Sequence, residues 1–254
     1  MQKLKDIDRA VQELLRTLPE VIRSFNIESV EEKTNERDLV TVADRGVEAY
    51  LTDRILKLFP DHQILGEESY EPEKDYSADR LWVIDPIDGT TNFVKQGCNF
   101  CTLLAYFEDG RPLLSYIYEP MEDRMVHAIA DQGVFLNGKA IAKAKNLPMA
   151  QSLVSTDIRR MYRNNPDLFD RLVNESFAMR SVGTSGLDGC RVIEGRYGGY
   201  INYQGGPWDF APFFLMAKEL DLVFLTLDGR EMNLNGYSNF ILCNQQFYQD
   251  LFGT

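Results

Sequence analysis

Leu4, Ile7, Val11, Leu14, Leu15, Leu18, Val21 and Ile22 recur at the spacing of a helix with one apolar face, and predict a helix over residues 2–24. Polar and charged positions take over at 25–38 and predict a loop. Val47, Tyr50, Leu51, Ile55 and Leu58 form a second stripe, a helix over 41–58 that ends before Pro60. Beyond it the apolar runs shorten. Ile64-Leu65 reads as a short strand entering Gly66-Glu67-Glu68-Ser69, and 70–80 as a polar loop. Leu81-Trp82-Val83-Ile84 is a compact apolar strand ending on Asp85-Pro86. Strands at 99–107, 112–118 and 124–130 follow, with Asp109-Gly110 as the hairpin turn between the first two. This stretch reads as an antiparallel meander.

After a turn at Asn137-Gly138-Lys139 the rhythm changes. Strands at 152–156, 178–182, 198–202 and 221–225 alternate with helices at 166–176, 185–195 and 208–219, the pattern of an α/β unit. A last strand at 239–242 and a helix at 244–251 complete the chain. The expected division is an N-terminal α+β half, residues 1–138, and a C-terminal α/β half, residues 139–254, sharing one core.

Composition narrows the chemistry. The 254 residues suffice for one large domain or two small ones sharing a core. No apolar run reaches the roughly 18 residues of a membrane span. The start, Met1-Gln2-Lys3-Leu4-Lys5-Asp6, leads into an amphipathic pattern and not a signal core, so a soluble cytoplasmic protein is expected. A net charge of −12 disfavours binding to nucleic acid or to an anionic membrane. It leaves room for a small anionic substrate, because bound divalent cations can reverse the field inside one cleft. Of Cys98, Cys101, Cys190 and Cys243, the first two form C-x-x-C but lack the second Cys or His pair of a zinc site. They read as buried small residues in a reducing compartment. His62 and His127 are the only histidines and read as structural, which moves any metal chemistry to carboxylates and hard cations such as Mg2+.

The densest chemistry is Trp82-Val83-Ile84-Asp85-Pro86-Ile87-Asp88-Gly89-Thr90-Thr91-Asn92-Phe93. A strand delivers Asp85, and Pro86 holds that residue extended. A turn then brings Asp88 back towards the same point, and Gly89 permits close backbone approach. Thr90 to Phe93 can open a helix whose free N–H groups face the same cleft. Taken alone, D-x-x-D-G fits an Asp-rich turn with a helix cap equally well. Gly66-Glu67-Glu68-Ser69 alone fits a surface turn, and Asp209 in Gly206-Pro207-Trp208-Asp209-Phe210 alone fits an N-cap.

Together, and in this order, these segments resemble the inositol monophosphatase family of lithium-sensitive, Mg2+-dependent phosphatases. The matching motifs are G-E-E-S at 66–69, W-x-x-D-P-[ILV]-D-G-T-x-x-[FYWL] at 82–93, and W-D-x-A at Trp208-Asp209-Phe210-Ala211. Asp38-Leu39-Val40-Thr41-Val42-Ala43-Asp44 and Val134-Phe135-Leu136-Asn137-Gly138 match two further family segments. The resemblance implies a layered α-β-α-β-α sandwich and hydrolysis of a small-molecule phosphate monoester by metal-activated water. It implies two or three Mg2+ ions held by Glu67, Asp85, the Ile87 carbonyl, Asp88 and Asp209, with Glu68 standing behind the ligands. It implies that Asp44 and Thr90, with Glu67, orient the water, and that the N–H groups of Gly89 and Thr90 cradle the phosphate. Lys33 resembles the family's basic loop residue. Family members are often dimers, so a homodimer is an expectation from the resemblance alone.

The substrate half departs from the pattern. Gly183-Thr184-Ser185-Gly186 matches the step beside the sugar or inositol ring. Asn202, however, stands where inositol phosphatases carry a ring-binding Glu, and Pro212-Phe213-Phe214 follows Ala211 where small residues are usual. Inositol phosphate, fructose 1,6-bisphosphate, NADP and 3'-phosphoadenosine 5'-phosphate all stay open as substrates. A non-catalytic regulatory protein on the same fold is the reading from another class.

Overall fold

Pro19 decides the start of the structure, a computed structural model that describes residues 2–25, 30–32, 39–76 and 78–253. Instead of one helix over 2–24 there are two, α1 (Gln2–Leu15) and α2 (Leu18–Ser24). Proline has no N–H to donate and is tolerated only in a first turn, so a new helix begins at Leu18. The Thr17 hydroxyl closes α1 by donating to the Leu14 carbonyl at 2.6 Å. The stretch predicted as a loop carries a small ribbon, β1 (Val30–Glu32) antiparallel to β2 (Leu39–Thr41). Strands of three residues are too short for alternation to show. Lys33 and Asp38 lie outside the described residues. The helix predicted over 41–58 is α3 (Val42–Leu58).

The meander belongs to a seven-stranded sheet: β3 (Gln63–Gly66), β4 (Arg80–Asp88), β5 (Cys101–Glu108), β6 (Arg111–Glu119), β7 (Arg124–Ile129), β8 (Gly133–Leu136) and β9 (Lys139–Ala140), in that spatial order. The short helix α4 (Thr90–Gln96) joins β4 to β5. Asp109 and Gly110, at φ 51° and 72°, make the tight hairpin of β5 and β6. Asn137 and Gly138, at 46° and 76°, make another between β8 and β9, two strands that the hydrophobic pattern did not reveal.

The second sheet has five strands. Its elements are β10 (Leu153–Thr156), α5 (Ile158–Asn164), α6 (Pro166–Glu175), β11 (Ala178–Arg180), α7 (Ser185–Ile193), β12 (Gly199–Gly205), α8 (Pro207–Leu220), β13 (Val223–Thr226), β14 (Ser238–Cys243) and α9 (Gln245–Phe252). The order is β11-β10-β12-β14-β13, parallel around β10 and antiparallel around β14. Helix α5 was not predicted; Asp157 caps it by accepting from the Arg160 N–H at 2.9 Å.

Side-chain alternation assigns each sheet face to a layer. Leu104, Tyr106 and Tyr116 point to one side of the first sheet and pack with Val11, Leu15, Leu51 and Ile55 of α1 and α3. Leu103, Ile117 and Val126 point to the other and meet Leu187, Phe213 and Met216 of α7 and α8. Those two helices press in turn on Tyr200, Phe240 and Leu242 of the second sheet. Met161, Leu172, Phe247 and Leu251 of α5, α6 and α9 cover its outer face. The layering is therefore α-β-α-β-α, as expected. No described helix is long and apolar enough to cross a membrane. Cys101 is buried but Cys98 is exposed, correcting the reading of the pair as buried; Cys98 precedes β5 in a loop where Asn99 has φ 57°.

Candidate active site

Asp85 and Asp88 share a face because β4 carries a bulge. Residues three apart on a regular strand point to opposite faces. Here Asp85 pairs with Leu103 and Asp88 with Cys101, so three steps on β4 match two on β5. The additional residue returns Asp88 to the face of Asp85. The strand thus continues through Asp88, where the sequence suggested that it stops at Asp85 and turns. The Thr102 hydroxyl spans the irregularity, donating to the Pro86 carbonyl at 2.8 Å. Gly89 then swings the chain into α4 at φ 96°; a Cβ there would lie 2.3 Å from Thr184 Cγ2.

The third carboxylate comes from the other side of the cleft. Asp209 sits in the first turn of α8, and its Oδ2 accepts from the Gly206 N–H at 2.6 Å. Oxygens of Asp85, Asp88 and Asp209 lie within 4.8 Å of one another. Asp88 is gripped by the start of α7: Oδ1 accepts from the Ser185 N–H at 3.1 Å and Oδ2 from the Gly186 N–H at 2.5 Å. Ser185 also fixes α8, its hydroxyl donating to the Asp209 carbonyl at 2.7 Å.

The group cannot carry its full charge unaided. Burial, then the charges of Glu67, Asp88 and Asp209, push the Asp85 carboxyl far above the usual range. Burial and the Asp209 charge raise Asp88 to about 7, against the pull of the Gly186 and Ser185 N–H groups. Burial raises Asp209 to about 6, against the Gly206 N–H and the charge of Arg160. Asp85 Oδ1 is buried with no hydrogen-bond partner. A buried orphan oxygen inside an all-oxygen, all-acid set fits a hard divalent cation and suits thiophilic metals poorly.

The remaining sequence-derived residues are placed as follows. Glu67 stands outside the tight trio but near enough for its charge to act on Asp85. Its N–H donates to the Ile84 carbonyl at 3.1 Å. The Thr90 hydroxyl lies 3.0 Å from Asp44 Oδ1 and 3.2 Å from the Ile87 carbonyl. Asp44 is buried. Gly183, Thr184, Ser185 and Asn202 line a cavity of about 140 Å3 together with Asp88 and Asp209. Thr184 caps α7, its hydroxyl oxygen accepting from the Leu187 N–H at 3.1 Å. The Asn202 amide donates to the Ser185 hydroxyl at 3.3 Å.

Three residues at the site were missed. Glu48, buried on α3, accepts from the Glu68 N–H at 2.7 Å and fills the space beside Gly66, thereby holding the acidic turn. Asp188, in the first turn of α7, accepts from the Ser155 hydroxyl and from the N–H groups of Val182 and Gly183, the latter two at 3.0 and 3.1 Å. Arg160 lines the cavity from α5. An acid in the first turn after G-T-S-G was a legible signal for Asp188; nothing local marks the other two.

Comparison with known proteins agrees with this geometry. A family model described as the inositol monophosphatase family matches residues 3–252. An inositol-1-monophosphatase from Bacillus subtilis is 30% identical, over 99% of this chain and 97% of its own length. A fructose-1,6-bisphosphatase/inositol-1-monophosphatase from Thermotoga maritima is 31% identical, over 89% and 85%. A crystal structure of an IMPase/NADP phosphatase complexed with Mg2+ and phosphate superposes with a TM-score of 0.93 at 34% identity, covering 98% of this chain and 94% of that one.

Proposed function

The chain belongs to the inositol monophosphatase family and is a metal-dependent phosphoric monoester hydrolase, and on that premise we propose how its residues divide the work. The observation that carries the proposal is the convergence of Asp85, Asp88 and Asp209 within 4.8 Å around an unpartnered carboxylate oxygen. Glu67, Asp85, the Ile87 carbonyl, Asp88 and Asp209 hold two Mg2+ ions, with a third, looser ion beside Glu67. Bound there, Mg2+ supplies charge against the phosphate dianion, a more acidic water and stabilisation of the leaving oxygen.

The chain's own groups position the reactants. Because Asp44 accepts the Thr90 hydroxyl proton, the Thr90 oxygen keeps its lone pairs for a water, which Glu67 orients from the other side. The Gly89 and Thr90 N–H groups face the phosphate, and the positive φ of Gly89 aims the first of them. Gly183, Thr184, Ser185 and Asn202 border the leaving group. The resemblance of Lys33 to the family's basic loop residue supports a part for its charge in binding the phosphate. No covalent nucleophile is needed, and direct attack by water is the reaction.

Similarity supports inositol 1-phosphate, fructose 1,6-bisphosphate and NADP as substrates to assay first, with 3'-phosphoadenosine 5'-phosphate beside them. Free thiols at Cys98, Cys101, Cys190 and Cys243 support a cytoplasmic setting, and the family's habit of dimerising supports a homodimer. Phosphate release from this panel with Mg2+, with and without Li+, tests the function. Turnover that Li+ suppresses is expected. A folded protein that releases phosphate from none of them would overturn the enzyme reading in favour of a regulatory role.

A further inference from the structure

We propose that Arg160 selects substrates whose leaving group carries a second anionic group, such as a second phosphate or a pyrophosphate. The inference rests on the phosphatase reading above and names the substrate class of that same site. Arg160 is the one cation among the described residues lining the 140 Å3 cavity that also holds Asp88, Asp209 and Asn202. Its position is set from two directions. Nη1 donates to the Tyr203 carbonyl at 3.2 Å, and Nε lies 3.6 Å from Asp157 Oδ2. Each donor edge of the guanidinium thus has one nitrogen engaged, while the side chain keeps 52% of its surface open. Nη2 remains to meet an anionic oxygen through a charge-assisted hydrogen bond.

The acids around it do not cancel that function. Asp188 is occupied by the Ser155 hydroxyl and by the N–H groups of Val182 and Gly183. Asp88 and Asp209 face the metal position, so their charge is offset in the loaded enzyme. Asp157 remains as the acid that orients Arg160. Asn202, a neutral amide, lines the same cavity, where a carboxylate would repel a second anion. A bulge in β12 between Asn202 and Gly205, with Gln204 at φ 58°, carries the Tyr203 carbonyl that Arg160 holds. The cavity thus sets a positioned cation and a neutral amide among acids that are each already engaged or face the proposed metal position. That combination favours an anionic leaving group over a neutral polyol.

The test compares fructose 1,6-bisphosphate with D-inositol 1-phosphate, using the full chain with Mg2+. The wild type is expected to show the higher kcat/KM for the bisphosphate. Arg160→Gln is expected to lower that preference about tenfold or more, chiefly through KM, as loss of a charge-assisted hydrogen bond does. Arg160→Lys, which keeps the charge without the planar guanidinium, is expected to restore part of it. Asn202→Glu is expected to shift preference towards inositol 1-phosphate. An equal fall on both substrates in Arg160→Gln, or a wild type that favours inositol 1-phosphate, would overturn the proposal and leave the phosphatase reading standing. Turnover of neither substrate by the folded wild type would overturn that reading, and this proposal with it.

Discussion

At the scale of residues, the site stores a conflict that a metal relieves. Asp88 and Asp209 are raised from 3.8 to about 7 and about 6. An acid raised in the folded state binds its proton more tightly there than in the unfolded chain. It therefore stabilises the fold at low pH, and that contribution is lost as pH climbs from 3.8 through 6 to 7. Mg2+ competes with those protons. Its addition is expected to raise the melting temperature little at about pH 5.5 and much more at about pH 8; equal rises would remove these carboxylates from metal binding. Asp85→Asn should separate stability from function. Its amide can donate to a neighbouring carboxylate where Asp85 Oδ1 now has no partner. The metal-free melting temperature at about pH 8 should rise by about 2–4 °C, while phosphate release falls about a hundredfold or more. Gly89→Ala meets both a φ of 96° and a Cβ only 2.3 Å from Thr184. It should cost about 1–3 kcal/mol, read from the urea midpoint, and remove activity. Asp85, Asp88 and Asp209 were legible because each stands in a motif with its own spacing. Glu48 and Arg160 were not, because one charged residue on a helix has the same local pattern whether it faces solvent or a cleft.

At the scale of elements, strand β4 and helix α7 together shape the proposed metal position. The apolar run announced β4, but its bulge depends on pairing with β5, and pairing is not written in one strand. The same limit hid the break at Thr17, where the apolar stripe runs on through Leu18 although Pro19 starts a new helix. Helix α7 reaches Asp88 only because residue 186 has no side chain. A Cβ there would lie 2.5 Å from Leu103, 2.6 Å from Cys101 Sγ and 2.9 Å from Asp88 Oδ2. Gly186→Ala is expected to destabilise by about 1–3 kcal/mol and to weaken Mg2+ binding about tenfold. Calorimetric titration with Mg2+ checks it; unchanged affinity would show that α7 does not hold Asp88 in place.

At the scale of the molecule, α7 and α8 belong to both sheets, so neither sheet has a complete core without the other. The far end of α7 is tied as well. Arg124 of β7 pairs with Glu119 and Glu194, and Glu194 also meets Arg191 at 3.5 Å and Arg196 at 2.8 Å. Glu194 is 6% exposed at its side chain, so truncating it removes a buried acid shared by the partly buried Arg124 and Arg191. Glu194→Ala is expected to cost about 1–2 kcal/mol and to shift one cooperative urea transition without splitting it. Two separate transitions would show that residues 1–138 and 139–254, the halves suggested by the sequence, unfold independently. The layering was legible because alternation and helix stripes fix which faces are apolar. The ribbon β1–β2, the strands β8 and β9, and helix α5 were not, because strand pairing and an N-cap, and no repeated apolar pattern, define these short elements.

The grip of α7 on Asp88 also sets an order of events during synthesis. A growing chain that has reached Ala140 already contains every strand of the first sheet, and with it Asp85 and Asp88. It lacks Ser185 and Gly186, which hold Asp88, and it lacks Asp209. On the ligand assignment proposed above, the site reaches its full set of acids only in a chain most of whose length has been made.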